Sequence, residues 1–407
     1  MDLETIQITL PSSKSLSNRW LMLDYMSRTG IKIKNISSSN DSQQLARLLH
    51  QLKAGRRHNF DCRDAATVAR FMLALLSITP GTHTLTGSEQ LRKRPMGHLI
   101  NALRQSGCSV TCTGEEGFLP VKIEGAIPNM QRIVIDCSLS SQFASALLLS
   151  SATLPQGGTV ELQNVSVSEP YIQMTLKVME LAKVNWTLKG NPPAYFVEHC
   201  IPQCDVVSIE RDWTAASYFF EAASLLPDIP VRLPGLMRDS LQGDCVVHDL
   251  YAKMGLNVSQ GDLSLEMLRD RDLARKFEWD FTATPDLLPA VAVTCAALGT
   301  EAHLTGLATQ RHKESDRLKA IVEGLTLLGR TVDCDGSTLT IHSGKPFTKE
   351  TLRVDTPVNS YDDHRIAMAF GVLKVINADF EVTNPDCVDK SFPDFWKMLE
   401  RLIGLDD

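Results

Sequence analysis

An amphipathic helical pattern recurs six times along this 407-residue chain and constrains its fold more than any other feature. In each copy, apolar residues stand at i, i+3, i+4 and i+7, the spacing of one buried helix face. The copies are residues 45–52, 96–103, 172–179, 247–254, 318–325 and 395–402. All but the third end near a glycine suited to a left-handed helix cap. The average of about 68 residues per copy favours a repeated βαβαββ unit over a common solenoid.

A second kind of helix, apolar on nearly all sides and rich in alanine, alternates with the first and is predicted to be fully buried. Its copies are residues 20–26, 71–76, 143–149, 218–226, 287–298 and 366–373. Polar residues mark their predicted starts: Ser15/Ser17, Asp64/Thr67, Ser140/Ser141, Thr214/Ser217, Asp286 and Asp363/His364. Each could simply be an N-cap. If these starts converge on one cleft, their free N–H groups and dipoles form an anion-binding site.

Composition excludes several classes of function. Hydrophobic residues make up 43% of the chain and charged residues 22%, which supports a large core. The net charge of −7 argues against nucleic acid or an anionic membrane as the main partner. The N-terminal residues lack a signal-peptide pattern and the apolar runs are too short to span a bilayer, so we expect a cytoplasmic protein.

Metal and nucleotide motifs are missing from the sequence. The ten cysteines form no CxxC pair at zinc-site spacing, and we expect them to be free thiols in a reducing cytosol. Neither GxGxxG nor GxxxxGK[ST] occurs, which argues against a Rossmann or P-loop site. We therefore expect neither a metal nor a cofactor.

Cationic residues accompany the predicted helix starts. They are Lys14, Arg19, Arg70, Arg94, Lys313, Arg317, Arg365 and Lys390. A single one would usually be a solvated surface charge. Arg94 precedes Pro95, which we predict to be a first helical residue. Lys313 and Arg317 are predicted to share one helix face at i, i+4.

Seven short motifs, in order, carry a resemblance to a known family. They are residues 11–19 (PSSKSLSNR), 92–98 (RKRPMGH), 140–142 (SSQ), 167–171 (VSEPY), 313–317 (KESDR), 363–365 (DHR) and 390–393 (KSFP). Together they make the chain resemble the 5-enolpyruvylshikimate-3-phosphate synthase family of enolpyruvyl transferases, from about Ile8 to the C-terminal helix.

The resemblance implies an α/β fold of two similar domains, each made of three βαβαββ units around buried parallel helices in an inside-out α/β barrel. The active site would lie in the interdomain cleft. The domains would be residues 13–209, and residues 1–12 together with 210–407. The family also implies a monomer that needs no cofactor and binds shikimate 3-phosphate and phosphoenolpyruvate, with no nucleic-acid or membrane partner.

The resemblance further implies site residues, matched position by position. Those for shikimate 3-phosphate are Lys14, Ser15, Arg19, Ser140, Ser141, Gln142, Ser168, Asp286, Thr309 and Lys313. Those for phosphoenolpyruvate are Lys14, Ala66, Arg94, Gln142, Arg317, Arg365 and Lys390. The implied catalytic residues are Lys14, Asp286 as the base that accepts the 5-hydroxyl proton, and Glu314 as the acid that protonates the methylene carbon.

The two carboxylates also suit the chemistry that an enol phosphate requires. Carbon protonation needs a carboxylic acid held neutral or nearly so, and a departing phosphate needs several cations nearby. Two simpler interpretations stay open: Asp286 could be an N-cap, and Glu314 an exposed first-turn carboxylate. We interpret His364 as an orienting or packing histidine beside Arg365.

The sequence departs from the family pattern at several positions. Ala66 places a methyl group where glycine usually allows a ligand to approach the backbone. We therefore expect phosphoenolpyruvate to fit while glyphosate, a longer mimic, binds poorly. Asp64 adds a negative charge near an anionic substrate, and Ser13 replaces a usual glycine. Thr309 replaces an asparagine that often contacts substrate, which weakens its assignment.

Two alternative functions remain at the level of sequence. The sister enzyme that transfers enolpyruvate to UDP-N-acetylglucosamine usually carries a reactive cysteine before its Arg-Pro, and residues 87–95 (GSEQLRKRP) contain none. A non-catalytic phosphoanion-binding paralogue would have little reason to keep both Asp286 and Glu314.

Overall fold

The chain forms two compact units in a computed structural model that describes residues 5–27, 30–55, 58–126, 132–165, 168–269, 273–353 and 355–404. One unit comprises Met1–Ser12 and Glu210–Asp407, and the other comprises Ser13–Ile209. We call them the terminal unit and the central unit. Two features of the sequence analysis, Val167 of the VSEPY motif and the first four residues, lie outside the described ranges.

The strands are short and numbered in chain order. They are β1 Ile6–Gln7, β2 Lys32–Lys34, β3 Asn59–Asp61, β4 Gly81–Thr86, β5 Ser109–Cys112, β6 Val121–Gly125, β7 Arg132–Asp136, β8 Gly158–Gln163, β9 Trp186–Lys189, β10 Ala194–Val197, β11 Val206–Ser208, β12 Val231–Pro234, β13 Leu256–Gln260, β14 Ser264–Arg269, β15 Lys276–Asp280, β16 Glu301–Thr305, β17 Val332–Cys334 and β18 Leu339–Ile341.

The α-helices alternate with these strands. They are α1 Lys14–Met26, α2 Asn40–Ala54, α3 Ala66–Ser77, α4 Glu89–Arg92, α5 Gly97–Gln105, α6 Ser141–Ser151, α7 Glu169–Leu181, α8 Trp213–Leu225, α9 Val247–Lys253, α10 Leu288–Leu298, α11 Arg317–Leu327, α12 His364–Gly371 and α13 Phe395–Leu402. Shorter 3-10 turns cover Gly243–Val246, Pro285–Leu287, Ala308–His312, Val372–Val375 and Pro385–Lys390.

The repeat predicted from the sequence is visible in the sheets. The orders are β3-β4-β6-β5 and β7-β8-β10-β9 in the central unit, and β1-β12-β14-β13 and β15-β16-β18-β17 in the terminal unit. In each sheet the first two strands are parallel, and the last two add antiparallel pairs. A parallel pair needs a crossover, and the buried helices α3, α6 and α10 provide it for β3–β4, β7–β8 and β15–β16. The connection between β1 and β12 instead contains the whole central unit, followed by α8.

One repeat in each unit is shorter than the βαβαββ pattern among the described residues. In the central unit, β11 and β2 form a two-stranded parallel sheet beside α1 and α2. In the terminal unit, the last repeat contains α12, α13 and one parallel bridge between Val358 and Val382. Both repeats keep their two helices. Neighbouring repeats can bury a helix face even where the repeat itself lacks a full sheet.

The two kinds of helix behave as their patterns predict. In α10 every residue is buried, and in α3 all but Thr67 are. The amphipathic helices bury one face each, and five of them are followed by a glycine with positive φ, from +63° at Gly55 to +96° at Gly255. The third amphipathic helix, α7, was predicted to end without a glycine. There Lys183 itself adopts the left-handed conformation that glycine adopts after the other helices.

Several predicted helix starts are displaced in the structure. The side chains of Ser13 and Asp212 cap α1 and α8, in place of Ser15/Ser17 and Thr214/Ser217. Helix α3 begins after Ala65, which has no side-chain cap, so Asp64 is not a cap. Pro95 is not a first helical residue, because α5 begins two residues later, at Gly97.

The 313–317 motif does not lie within one helix. Asp316 accepts a hydrogen bond from the Lys319 backbone N–H (3.0 Å) and starts α11 at Arg317. Lys313 is in an extended conformation before the helix. The predicted i, i+4 face shared by Lys313 and Arg317 is therefore wrong, because the Asp316 cap interrupts the helical phase between them.

Candidate active site

A cluster of oppositely charged side chains lies at the helix starts of the terminal unit. Its members, which we call the Arg317 cluster, are Asp286, Lys313, Glu314, Arg317, Asp363, Arg365 and Lys390. Two of them lie in 3-10 turns: Asp286 is in the turn before α10, and Lys390 is the last residue of the turn Pro385–Lys390. Asp286 lies two residues before α10, a helix in which every residue is buried, and such a rigid element holds the side chain in place.

Arg317 lies at the centre of this cluster and is almost fully buried. Its Nε donates to Asp363 Oδ2 at 2.8 Å, its Nη1 to Asp286 Oδ1 at 2.9 Å, and its Nη2 to Glu314 Oε2 at 2.6 Å. Burial alone would lower the pKa of Arg317, but the three carboxylates outweigh it and raise that pKa above the usual range. The guanidinium is therefore a permanent cation.

Asp286 bridges the two arginines of the cluster. Its Oδ1 accepts from Arg317 and its Oδ2 accepts from Arg365 Nη2 at 2.8 Å, while Lys313 Nζ lies 3.5 Å from Oδ1. Burial would raise the pKa of Asp286, yet the attraction of Arg365, Lys313 and Arg317 lowers it far below its usual range. Its carboxylate contacts cations rather than helix N–H groups, so the N-cap interpretation is wrong.

Glu314 is also part of the cluster and is not an exposed first-turn carboxylate. Its side chain is 13% exposed, and its two oxygens contact Arg317 Nη2 and, at 4.0 Å, Lys390 Nζ. It precedes α11 rather than lying in the helix. From this position the Glu314 carboxylate can contact Arg317, Lys390 and a ligand bound beside them.

Asp363 is a cluster residue to which the sequence analysis gave no site role. It is fully buried, and it caps α12 by accepting from the Arg365 N–H at 3.0 Å. The same carboxylate accepts from Arg317 Nε and from Ser315 Oγ at 3.1 Å. The DHR motif at residues 363–365 could have identified Asp363 as a site residue, because one carboxylate can both cap a helix and bind a neighbouring cation.

Tyr218 lies behind the cluster, on α8, and was also not predicted as a site residue. It is buried, and its ring packs edge-on against Phe395 with ring centroids 5.9 Å apart. Burial raises the pKa of its hydroxyl, an effect that the nearby charges of Arg365 and Arg317 partly oppose. Tyr218 thus separates the charged cluster from the aromatic core. His364, 1% exposed, lies 3.7 Å from Asp363.

The predicted site residues of the central unit lie at the starts of its buried helices. Lys14, the first residue of α1, has its Nζ 3.3 Å from Asp41 Oδ2. Gln142, in the first turn of α6, accepts a hydrogen bond from Arg70 Nη1 of α3. The Arg70 guanidinium also lies over the Phe143 ring, 5.0 Å from its centroid. The sequence analysis gave no site role to Asp41, which contacts Lys14, or to Arg70, which contacts Gln142.

Arg19, which was predicted to bind a substrate, donates four hydrogen bonds to other groups of the protein. Its Nη1 donates to the Ser15 carbonyl (2.9 Å), its Nε to Thr175 Oγ1 (2.8 Å), and its Nη2 to Ser145 Oγ and the Tyr171 carbonyl. Burial lowers the pKa of Arg19 to about 10. This network joins α1, α6 and α7 through one charged group.

The predicted serine and threonine contacts take different positions. Ser140 caps α6 through the Gln142 N–H at 3.2 Å, and Ser141 is the first residue of that helix. Ser168 holds a left-handed conformation, φ +57°, immediately before α7. Thr309 lies in the 3-10 turn Ala308–His312, and its hydroxyl is buried and has no hydrogen-bond partner among the described residues.

The start of α3 is suited to an anion. Its N-cap, Ala65, provides no side-chain acceptor, and within the described residues the N–H groups of Ala66, Thr67 and Val68 have no protein acceptor. Nearby, Asp64 Oδ1 accepts a hydrogen bond from Ser88 Oγ. A helix start with free N–H groups is the standard backbone contact for phosphate.

The described residues contain no cluster of His, Cys, Asp or Glu arranged to hold a metal ion. The ten cysteines are free, with Cys334 exposed and others, such as Cys295, buried. Within those same ranges no helix is long and apolar enough to cross a membrane.

Known proteins resemble this chain along nearly all of it. A 3-phosphoshikimate 1-carboxyvinyltransferase from Bacteroides fragilis is 33% identical over 400 residues, which cover 97% of this chain and 94% of that protein. The enzyme of the same name from a Sulfurovum species is 30% identical over 420 residues, covering 97% and 96%.

Solved structures share the fold. An EPSP synthase from Acinetobacter baumannii superimposes with a TM-score of 0.75 at 20% identity, covering 98% of this chain and 96% of that one. The enolpyruvyl transferase NikO from Streptomyces tendae gives 0.74 at 17% identity, with 99% and 95% covered. These structures support the predicted two-domain α/β fold. The profile described as EPSP synthase (3-phosphoshikimate 1-carboxyvinyltransferase) matches residues 54–399, and the chain belongs to that family.

Proposed function

We propose that this protein transfers the enolpyruvyl group of phosphoenolpyruvate to the 5-hydroxyl of shikimate 3-phosphate and releases phosphate, a step of aromatic amino acid biosynthesis. The observation that carries the proposal is the Arg317 cluster, in which a candidate base, a candidate acid and four cations from separate segments meet. Family membership supports the same reaction.

For shikimate 3-phosphate, we assign the carboxylate to Ser15 and Arg19, and the phosphate to Ser140, Ser141, Ser168 and Lys313. Gln142 would lie against the ring. The position of Ser140 at the start of the buried helix α6 supports the phosphate assignment, because helix starts attract anions. Lys14, Asp286 and Thr309 complete the proposed contacts, with Thr309 the weakest because of its buried hydroxyl.

For phosphoenolpyruvate, we assign the carboxylate to Arg317 and Arg365, since guanidinium groups form forked hydrogen bonds with carboxylates. The phosphate would be held by Lys14, Arg94, Lys390 and the Ala66 N–H, with Gln142 close to it. The uncapped start of α3 supports the Ala66 assignment.

The proposed reaction is an addition followed by an elimination. The 5-hydroxyl oxygen bonds to C2 of phosphoenolpyruvate while Asp286 accepts its proton, and Glu314 protonates C3 to give a tetrahedral ketal phosphate. The C2–O bond to phosphate then breaks as a proton returns from C3 to the Glu314 carboxylate, which restores the double bond. Cations near the departing phosphate, such as Lys14 and Lys390, stabilise the charge that develops there.

The two alternative functions are less well supported. A transfer to UDP-N-acetylglucosamine lacks the expected cysteine in residues 87–95. A non-catalytic binding protein would not need Asp286 and Glu314 beside the same guanidinium, where they contact it at 2.9 Å and 2.6 Å. We also propose that the two units are the two domains of the family, and that the protein is a cytoplasmic monomer with no nucleic-acid or membrane partner.

Phosphate release on mixing the protein with shikimate 3-phosphate and phosphoenolpyruvate tests the function directly. Glu314→Gln should fold and bind both substrates while losing about 10²–10⁴-fold in kcat, the usual contribution of a general acid. The matched control is Glu323→Gln, which removes an exposed carboxylate from α11, the helix that follows Glu314. No release by the wild-type protein would refute the function, and normal turnover by Glu314→Gln would refute the acid assignment.

A further inference from the structure

Internal carboxylates occupy the arginines of the Arg317 cluster. Arg317 donates through Nε, Nη1 and Nη2 to Asp363, Asp286 and Glu314, at distances of 2.6 to 2.9 Å. Arg365 donates through Nη2 to the second oxygen of Asp286 at 2.8 Å. A further carboxylate that binds both guanidinium groups as a fork must therefore replace some of these contacts.

Three carboxylates and four cations make up this cluster, so their formal charges leave an excess of one positive charge. Two further titratable groups face the cluster: Tyr218 on α8, which is neutral because burial raises its pKa, and His364, which lies 3.7 Å from Asp363. An added substrate carboxylate cancels that excess and brings a further negative charge beside Asp286 and Glu314. When carboxylates share a buried site, their mutual repulsion favours protonation of one of them.

Asp363 is the carboxylate least able to leave, because it is fully buried and also caps α12 through the Arg365 N–H. By contrast, Asp286 and Glu314 are 19% and 13% exposed. Lys313 lies 3.5 Å from Asp286, and Lys390 lies farther from Glu314, at 4.0 Å. Both lysines are also assigned to substrate phosphates, and Glu314 keeps the weaker of the two ion pairs when the arginines turn to another ligand.

We propose that Asp286 and Glu314 hold the guanidinium contacts that the substrate carboxylate takes over on binding, and that this exchange is accompanied by proton uptake at Glu314. The inference rests on the proposed function and adds a coupling between binding and protonation. In the free protein, neither residue is ready for its chemical role. Asp286 is a weak base while both arginines neutralise it, and Glu314 is an ion-paired carboxylate rather than an acid.

The exchange therefore prepares both groups in one step. The proton comes from solvent and forms an O–H bond on Glu314, while Asp286 loses two cationic partners and becomes more basic. Catalytic chemistry is thereby restricted to the complex that contains phosphoenolpyruvate. A site that protonated Glu314 without substrate would have to leave Arg317 short of one of its three carboxylate partners.

Proton-linked binding can be measured without turnover. We would titrate phosphoenolpyruvate by calorimetry into protein saturated with 5-deoxyshikimate 3-phosphate, which lacks the attacking hydroxyl. Buffers of different ionisation enthalpy at pH 7.5 to 8.5, above the second phosphate pKa of about 6, report the number of protons taken up. Wild type should take up a number approaching about one proton per ligand, and Glu314→Gln should take up none.

The variant also predicts a change in affinity. Glu314→Gln should bind phosphoenolpyruvate about tenfold more tightly, because a neutral amide competes less strongly for Arg317. Glu323→Gln, on the exposed side of α11, should match wild type in both measurements. Circular dichroism of each variant confirms folding before the titration.

Three results would overturn the inference: no proton uptake by wild type, the same uptake by Glu314→Gln, or no binding to the analogue complex. Each is distinct from failure of the proposed function, which phosphate release with shikimate 3-phosphate tests separately. Normal phosphate release together with identical proton numbers would reject the coupling alone.

Discussion

Glu221 should make the stability of the terminal unit fall as pH rises. This residue of α8 is fully buried, and neither carboxyl oxygen has a hydrogen-bond partner among the described residues. Burial raises its pKa well above the ordinary value of 4.5. A group whose pKa is higher in the folded protein than in the unfolded chain stays protonated in the folded state over a wider pH range. The free energy of unfolding therefore falls progressively as pH rises above the pKa of the unfolded chain.

The expected magnitude follows from this proton difference. Each pH unit between the unfolded and folded pKa costs about 1.4 kcal/mol, so moving from pH 6 to pH 8 costs roughly 2.7 kcal/mol if Glu221 stays neutral. Glu221→Leu removes the titration as well as two unpaired buried oxygens, whose desolvation costs about 1–3 kcal/mol. The variant should therefore be more stable than wild type, and by a wider margin at pH 8.

Urea unfolding at pH 6 and pH 8, followed by hydrogen exchange in α8 and α10, measures this difference within the terminal unit. Glu278→Gln, an exposed carboxylate on β15 of the same unit, is the control and should leave the pH dependence unchanged. Parallel loss of stability by wild type and Glu221→Leu between the two pH values would refute the reasoning, because Glu221 would then not be the titrating group.

Three further substitutions test packing and site chemistry. Gly324→Ala should lower stability by about 1–3 kcal/mol, because its methyl would lie 2.4 Å from the Phe370 ring, and an unchanged thermal midpoint would contradict this. Gly97→Ala, with no atom nearer than 3.6 Å, is its control and should be nearly neutral. Asp363→Asn should destabilise the fold by about 3 kcal/mol and raise the KM for phosphoenolpyruvate, since Arg317 loses a buried counter-charge; wild-type values in both assays would reject this. Ala66→Gly should make the enzyme more sensitive to glyphosate, and equal inhibition of variant and wild type would show that the methyl is not the cause.

Much of the fold was predictable because apolar periodicity is a local property. The buried helices α3 and α10 and the amphipathic helices that end at Gly55 or Gly329 follow directly from spacing and cap chemistry. Helix starts were less predictable, since several polar residues compete as caps within one turn. The cap of α11, for example, is Asp316, three residues after Lys313, where the sequence analysis expected the helix to have begun.

The sequence by itself determined which residue types were available for chemistry and, through repeated periodicity, the layers into which the chain folds. Only the tertiary structure decided which partners those residues take. The contacts of Arg317 with Asp286 and Asp363 join residues 31 and 46 positions apart. Charge pairing depends on distances of a few ångströms between separate segments, which no local pattern encodes. The same holds for Glu221, whose place in an apolar helix is visible in the sequence but whose lack of a partner is visible only in the packed core.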